Sequence, residues 1–134
     1  MKILFVYPNS GSQVGFNYGI AHLSAVLKQA GHDVNLWQLC ENIEPLPSQD
    51  QFMRRIKKEQ PDIVGFSVVT NQWPYAKRLA GWVRNVTDVP LICGGIHTMA
   101  AGKDVLQSGL FDYIIRGEAE EALTEFIEKL GRTE

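Results

Sequence analysis

The sequence is poor in cysteine: Cys40 and Cys93 are its two cysteines, and they lie far apart along the chain. Neither belongs to a CxxC pair or has a histidine at the spacing of a metal-ligand set. An iron–sulfur cluster is usually held by roughly three or four thiolates. The chain therefore cannot supply the ligands of such a cluster on its own.

The sequence also lacks an excess of basic residues and any long apolar run. Thirteen Lys and Arg against fifteen Asp and Glu give a formal net charge of −2, which does not suit binding to a nucleic-acid backbone. The apolar run at residues 3–7 is too short for the core of a signal peptide, and no segment approaches the ~20 apolar residues of a membrane span. We therefore expect a soluble, cytoplasmic protein that binds neither nucleic acid nor membrane.

Short apolar segments rich in β-forming residues recur along the chain, each followed by a helical pattern. They are residues 3–7, 34–39, 63–68, 91–93 and 113–115. Such alternation is typical of repeated βα units, and the first and third segments are apolar at successive positions, as strands covered on both faces are. The sequence therefore predicts an α/β protein with one doubly wound, flavodoxin-like (Rossmann-like) domain. Its five-stranded parallel sheet should have the order 2-1-3-4-5 in a three-layer α/β/α arrangement.

The helical patterns have recognisable ends. The first should begin near Asn17, a good N-cap, and stop before Gly31, while the second covers residues 49–59 and ends before Pro61. The third should begin around Pro74, because proline is favoured in a first turn. The last two patterns cover about residues 99–107 and 118–130.

Ligands of an open parallel sheet bind beyond the carboxyl ends of its strands. The loop after the first strand, residues 8–16, is small, polar and followed by a helix N-terminus, where backbone N–H groups suit an anion. It lacks the Gly-Lys-Ser/Thr of a P-loop, and Gly11, Gly15 and Gly19 do not have the GxGxxG spacing. A phosphate-binding segment and a flexible connection both remain open for this loop.

The adjacent glycines Gly94 and Gly95 follow a buried strand, where missing side chains let a ligand approach the backbone. A tight strand-to-helix turn is the alternative interpretation. Ser67, at the end of the neighbouring strand, should lie beside them, so that the two features suggest a slot with a polar wall for a flat heteroaromatic group. His97 and Trp73 are further candidates at this edge, although a packing role at the start of the third helix is the simpler interpretation for Trp73.

Two motifs carry a family resemblance: Gly94-Gly95-Ile96-His97, and Arg116-Gly117-Glu118 followed by Ala-Glu. With the order of the βα units, they resemble the N-terminal cobalamin-binding domain of B12-dependent radical S-adenosylmethionine enzymes over nearly the whole chain. The wider cobalamin-binding fold is similar through an SxV motif, here Ser67-Val68-Val69, and through the glycine pair. The resemblance implies that cobalamin is the cofactor, that Ser67 meets its dimethylbenzimidazole nitrogen and that the glycine pair lines the slot for its nucleotide tail. The cofactor-binding residues so implied are Asn9, Ser10, Gly11, Ser12, Gln13, Val14, Gly15, Ser67, Val68, Val69, Thr70, Asn71, Gly94, Gly95, Ile96, His97, Arg116, Gly117 and Glu118.

The wider fold has a further motif, DxHxxG, which this sequence lacks, because residues 8–16 contain neither Asp nor His. The resemblance then implies that the corrinoid binds base-off, without a histidine from this loop as a lower ligand to cobalt. Asn9, Ser12, Gln13 and Val14 should shape the lower face of the corrin, and residues 15–18 should help to seat the ring. No residue of the chain is expected to be a metal ligand.

The chain alone does not hold a complete catalytic site. Radical S-adenosylmethionine enzymes bind a [4Fe-4S] cluster through a CxxxCxxC motif, to which neither Cys40 nor Cys93 belongs. We therefore expect residues 1–134 to be a single cobalamin-binding domain of a longer enzyme, with a radical S-adenosylmethionine domain as its partner and methyl transfer as the parent reaction. The two cysteines should remain unbridged, because their strands would be three spacings apart, ~14 Å.

Other proteins share this order of strands. A receiver domain needs a phosphoacceptor Asp where this chain has Ser67, which argues against that class. A flavodoxin-like domain that binds flavin mononucleotide is a stronger alternative, because Ser10, Gly11 and Ser12 could contact the flavin phosphate. The remaining alternative is a degenerate, non-catalytic protein-interaction domain that binds neither cofactor.

Overall fold

The computed structural model describes residues 1–9, 11, 18–41, 43–94, 103–115 and 125–129. The main elements are β1 (Lys2–Pro8), α1 (Tyr18–Gln29), β2 (Asp33–Leu39), α2 (Gln49–Glu59), β3 (Ile63–Ser67), α3 (Trp73–Arg84), β4 (Leu91–Gly94) and β5 (Tyr113–Ile114). A short 3-10 turn, Thr70–Gln72, leads into α3, and residues 103–107 and 125–129 are helical. None of the helices in these ranges is long and apolar enough to cross a membrane.

The strands form one sheet in the order β2-β1-β3-β4-β5, and every neighbouring pair is parallel. This confirms the predicted α/β class, the flavodoxin-like fold and the strand order. Each β-segment predicted from the sequence is a strand, with ends that differ by one residue in most cases. Because all five strands run the same way, their carboxyl ends meet at one edge of the sheet.

The two faces of the sheet pack against different helices. Side chains at alternate positions of β1, such as Leu4 and Val6, belong to a core cluster with α2, α3 and Val105. Ile3 and Phe5, on the other face, pack with α1 and with the helical residues 125–129. β1 is therefore buried on both faces, which explains why its sequence is apolar at successive positions.

Gly65 of β3 leaves room for an aromatic ring of the neighbouring strand. It lies opposite Phe5 of β1 in the strand register, and a Cβ atom on Gly65 would be only 2.9 Å from Cδ1 of the Phe5 ring. The missing side chain thus gives the aromatic ring its place on the face that α1 covers.

Local signals in the sequence account for the helix ends. Helix α2 has the predicted bounds, and a capping box at its start joins the Ser48 and Gln51 side chains to each other's backbone N–H groups. It ends at Gln60, whose φ of 47° is left-handed, immediately before Pro61. Helix α3 begins one residue before Pro74, also as predicted. The expected cap Asn17, residues 99–102, and residues 118–124 and 130 of the two last helices lie outside the described residues.

A polar network joins the end of α3 to the amino edge of the sheet. Nη2 of Arg84 donates to Oδ2 of Asp112 at 2.7 Å, and the same carboxylate oxygen accepts the Leu91 N–H at 2.9 Å. The Arg84 guanidinium also donates to the backbone carbonyls of Leu110 and Val89, at 3.1 and 3.3 Å. One side chain thus holds the starts of β4 and β5 at the edge opposite the strand ends.

We predict that Arg84→Ala lowers the free energy of unfolding by about 1 to 2 kcal/mol, because it leaves two carbonyls and a carboxylate without their donor. Arg54→Ala is the matched control, since Arg54 pairs with Asp50 on an exposed helix surface, with side chains 76% and 79% exposed. That control should change stability by no more than about 0.5 kcal/mol. Urea denaturation of both variants measures the difference, and equal losses would contradict the role given to the network.

Candidate functional site

Ser67 and Gly94 end two adjacent strands and lie directly opposite each other in the register of β3 and β4. The Val68 N–H donates to the Gly94 carbonyl at 2.9 Å, so that the strands remain paired to their last residues. The sequence predicted this juxtaposition of a serine hydroxyl with a glycine backbone.

Strand alternation puts Ser67 and Gly94 on the same face of the sheet as Gly65, the face covered by α1. Phe5 fills the space at Gly65, but no described residue comes as close to Gly94. Among the described residues, the nearest atom to a Cβ built on Gly94 is the Ile115 carbonyl oxygen, at 3.8 Å. The half-buried residues Ser67 and Gly94 therefore lie side by side at the carboxyl edge, with no described side chain packed closely against Gly94.

The segment after β3 is divided between the core and the surface. Val68 is fully buried in the cluster that packs on α3, so its side chain belongs to the core rather than to the open edge. Val69 is half-buried, Thr70 starts the 3-10 turn, and Asn71 is exposed. The side chains of Ser67, Val69 and Asn71 have solvent access.

The start of the loop after β1 is held against the loop after β2. Asn9 is 6% exposed, and its N–H donates to the Leu39 carbonyl at 2.9 Å. Gly11, with a φ of 70°, donates its N–H to both carboxylate oxygens of Glu41, at 3.1 and 2.9 Å. Glu41 is a residue that the sequence analysis missed, because nothing in the local pattern at position 41 indicates a partner thirty residues earlier in the chain.

The remaining predicted site residues lie outside the described residues. They are Ser10, Ser12, Gln13, Val14, Gly15, Gly95, Ile96, His97, Arg116, Gly117 and Glu118. Their assignment to the site stays a prediction.

Tyr75, in the first turn of α3, is a second residue at this edge that sequence reasoning missed. It is 9% exposed, and its hydroxyl oxygen is buried without a hydrogen-bond partner among the described residues. Burial raises the pKa of the Tyr75 hydroxyl, the positive charge of Arg78 opposes that rise, and the negative charge of Glu41 adds to it. The hydroxyl therefore stays protonated at neutral pH and can donate a hydrogen bond.

Trp73 and two of the histidines have simpler roles. Trp73 is half-buried against the core, with its ring centroid 5.9 Å from that of Phe111, in agreement with a packing role at the start of α3. His32 lies at the amino edge, where its Nδ1 is 3.2 Å from the terminal nitrogen of Met1, and His22 is exposed on α1. Within the ranges that the structure describes, no group of three His, Cys, Asp or Glu residues could hold a metal ion.

The thiol nearest to the open edge is held in its neutral form. Cys93 precedes Gly94 in β4 and is fully buried, and burial raises its pKa to about 12. Both Cys93 and Cys40 are free, and the sheet order separates β2 from β4 by two intervening strands. Since the thiolate is the nucleophilic and metal-binding form of cysteine, Cys93 supplies neither function at neutral pH.

We predict that the Cys93 thiol makes the fold sensitive to alkaline pH. In the unfolded chain it ionises near its ordinary value of 9.0, whereas in the fold it stays protonated up to about pH 12. Between these values the unfolded state binds fewer protons, so the free energy of unfolding should fall with rising pH, by at most about 1.4 kcal/mol per pH unit. Cys93→Ala should flatten this slope in urea denaturation between pH 8 and 11, and an unchanged slope would rule out the buried thiol as its source.

Comparison with known proteins identifies the family to which this chain belongs. A family model described as the B12 binding domain matches residues 9–127. The chain therefore belongs to the B12-binding domain family, and cobalamin, the cofactor expected from the resemblance, is the ligand after which that family is named.

The relatives of the chain include a cyclase, a methylase and a structurally similar radical S-adenosylmethionine methyltransferase. The chain is 30% identical to the anaerobic magnesium-protoporphyrin IX monomethyl ester cyclase of Rubrivivax gelatinosus, over 95% of this chain and 24% of the cyclase. It is 29% identical to the hopanoid C-3 methylase of Methylococcus capsulatus, over 85% of this chain and 22% of the methylase. The radical S-adenosylmethionine methyltransferase TsrM of Kitasatospora setae, solved with cobalamin and a [4Fe-4S] cluster, has the same fold with a TM-score of 0.87. That match has 18% identity and covers 98% of this chain and 25% of TsrM.

These matches confirm the resemblance to the cobalamin-binding domain of B12-dependent radical S-adenosylmethionine enzymes. The chain spans about a quarter of the length of the curated relatives that it matches. It likewise covers 25% of TsrM, the protein whose structure holds cobalamin and a [4Fe-4S] cluster.

Proposed function

We propose that this chain is the corrinoid-binding module of a B12-dependent radical S-adenosylmethionine methyltransferase. The observation that carries the proposal is the paired end of β3 and β4, where Ser67 lies beside Gly94 and no described side chain packs closely on that glycine. The family match over residues 9–127 supports cobalamin as the ligand of this edge.

The described residues fit the flat nucleotide tail of a cobalamin. Such a tail needs a smooth surface to pack on and a hydrogen-bonding group for its heterocyclic nitrogen. Gly94 offers the first and Ser67 the second, on the face of the sheet that α1 covers. Asn9 and Gly11 would hold the opposite side of the site, together with the other predicted residues of the loop after β1.

A bound corrinoid would supply methyl-transfer chemistry. The protein in this proposal binds the cofactor base-off and without a histidine from residues 8–16, which contain no histidine. The part of this loop would be to contact the lower face of the corrin without supplying an imidazole ligand, and the absence of that donor would favour acceptance of a methyl group.

The partner in this proposal is a radical S-adenosylmethionine domain of the same parent chain, of which residues 1–134 form one domain. It would hold the [4Fe-4S] cluster and S-adenosylmethionine and would face the upper side of the corrin. The short span of this chain relative to the cyclase and the methylase supports that division. The cytoplasmic location expected from the sequence stays a prediction.

A flavin mononucleotide site is the weaker candidate for this edge. Its phosphate would need free backbone N–H groups in the loop after β1, as at other anion sites near helix N-termini. The Gly11 N–H already donates to the Glu41 carboxylate, whose negative charge also opposes a phosphate there.

We predict that the purified chain retains hydroxocobalamin, and not flavin mononucleotide, through desalting. After reduction to cob(II)alamin, the electron paramagnetic resonance spectrum should show no superhyperfine splitting from a nitrogen nucleus, because no nitrogen ligand lies beneath cobalt. A splitting from histidine nitrogen would contradict base-off binding without histidine. Retention of the flavin would favour the flavodoxin-like alternative, and retention of neither by a folded chain would favour the interaction domain.

We predict that substitutions at Gly94 weaken cobalamin binding without unfolding the domain. A Cβ atom there makes ordinary contact at 3.8 Å with the Ile115 carbonyl, so the free protein accommodates it. In the complex, the added atoms would occupy the surface on which the nucleotide tail packs. Gly94→Ala should raise the dissociation constant a few-fold, and Gly94→Val by more than about tenfold.

Gly81→Ala is the control for these variants. Gly81 lies within α3, and a Cβ atom there meets no described atom within 4 Å. This variant should bind cobalamin like the unsubstituted chain, and circular dichroism should show that all three variants are folded. Unchanged affinity in Gly94→Val would remove Gly94 from the proposed site.

A further inference from the structure

Hydrogen bonds continue to join the segments that follow β1 and β2 after the two strands have ended. Pro8 and Leu39 are the last register pair, and the Asn9 N–H then donates to the Leu39 carbonyl at 2.9 Å. In a regular parallel ladder, the next such bond joins residues two positions further along each strand. The Gly11 N–H would accordingly donate to the backbone carbonyl of Glu41.

The side chain of Glu41 takes the place of that carbonyl. Its two carboxylate oxygens accept the Gly11 N–H at 3.1 and 2.9 Å. Beyond β2 the chain turns away, since the Ile43 and Glu44 N–H groups donate to the Cys40 carbonyl. The Glu41 carboxylate thus adds one more hydrogen bond between the two segments, beyond the point where their backbones separate.

At Gly11, the hydrogen bond to Glu41 restrains the backbone of the loop after β1. The Gly11 φ of 70° is left-handed, and no described atom lies within 4 Å of a Cβ built on this residue, so packing against the described residues does not fix its conformation. A charge-assisted hydrogen bond restricts the backbone instead, and charged acceptors form stronger bonds than neutral ones.

We propose that Glu41 is a positioning residue for the cofactor-binding loop, which it holds through the Gly11 N–H; the proposal rests on the proposed function. Glu41 acts on the cofactor only through the loop. When Glu41 orders the loop before binding, less conformational entropy is lost in the complex, and affinity rises accordingly.

The test uses Glu41→Ala, Glu41→Gln and the control Glu44→Ala. Glutamine keeps an oxygen acceptor at the same reach, whereas alanine removes it. Glu44 is another exposed glutamate of the same loop, so its loss reports on charge alone. Each variant is measured in two ways: by the shift and hydrogen exchange of the Gly11 amide in nitrogen-15 spectra of the free chain, and by the dissociation constant for hydroxocobalamin.

Glu41→Ala should move the Gly11 amide signal, speed its exchange and weaken cobalamin binding about tenfold. Glu41→Gln should largely keep the original Gly11 amide signal and the original cobalamin affinity. Glu44→Ala should change neither the amide signal nor the affinity. A Gly11 amide that is the same in Glu41→Ala overturns the proposed hold, and unchanged cobalamin affinity overturns its role in binding. If the unsubstituted chain binds no cobalamin, the proposed function fails, while the amide signals of the free chain still decide whether Glu41 holds the loop.

Discussion

The parallel pairing of β1 with β3, with both strands buried on both faces, is the constraint on which the rest of the structure depends. It forces α2 and α3 onto one face and α1 onto the other, and it brings every strand end to the same edge. Side chains along β1 and β3 are buried in the core. Residues at the strand ends are not needed for core packing, so a ligand site can lie at this edge without disturbing the core.

Stability and recognition therefore use opposite edges of one sheet. The network of Arg84 and Asp112 joins α3, β4 and β5 at the amino edge. Ser67, Gly94 and Gly11 lie at the carboxyl edge, where small side chains and backbone groups predominate. Such small residues contribute little to the packing of the core, but they leave room for a ligand at this edge.

The sequence predicted the fold closely because the signals for it are local. Apolar runs, the Ser48 and Gln51 capping box, Pro61 after α2 and Pro74 in the first turn of α3 act within a few residues of the elements that they start or end. The order of strands followed from the βα alternation, and the juxtaposition of Ser67 with Gly94 followed from that order. Glu41 and Tyr75 could not be found in this way, because their significance depends on which loops meet in space. Val68 shows that a position within the SxV motif can direct its side chain into the core, so that its predicted part in the site would be played by its backbone.

One consequence follows from the thiol beside the open edge. Cys93 stands immediately before Gly94, yet burial keeps its sulfur protonated. A protonated thiol is a poor nucleophile and a poor ligand for a soft metal ion. The Cys93 side chain also lies in the core cluster that α2 and α3 cover, on the face of the sheet opposite to that of Ser67 and Gly94. A reactive alkyl group beside Gly94 would therefore meet the backbone of β4 and not the Cys93 thiol, so this strand forms an inert wall for the proposed chemistry.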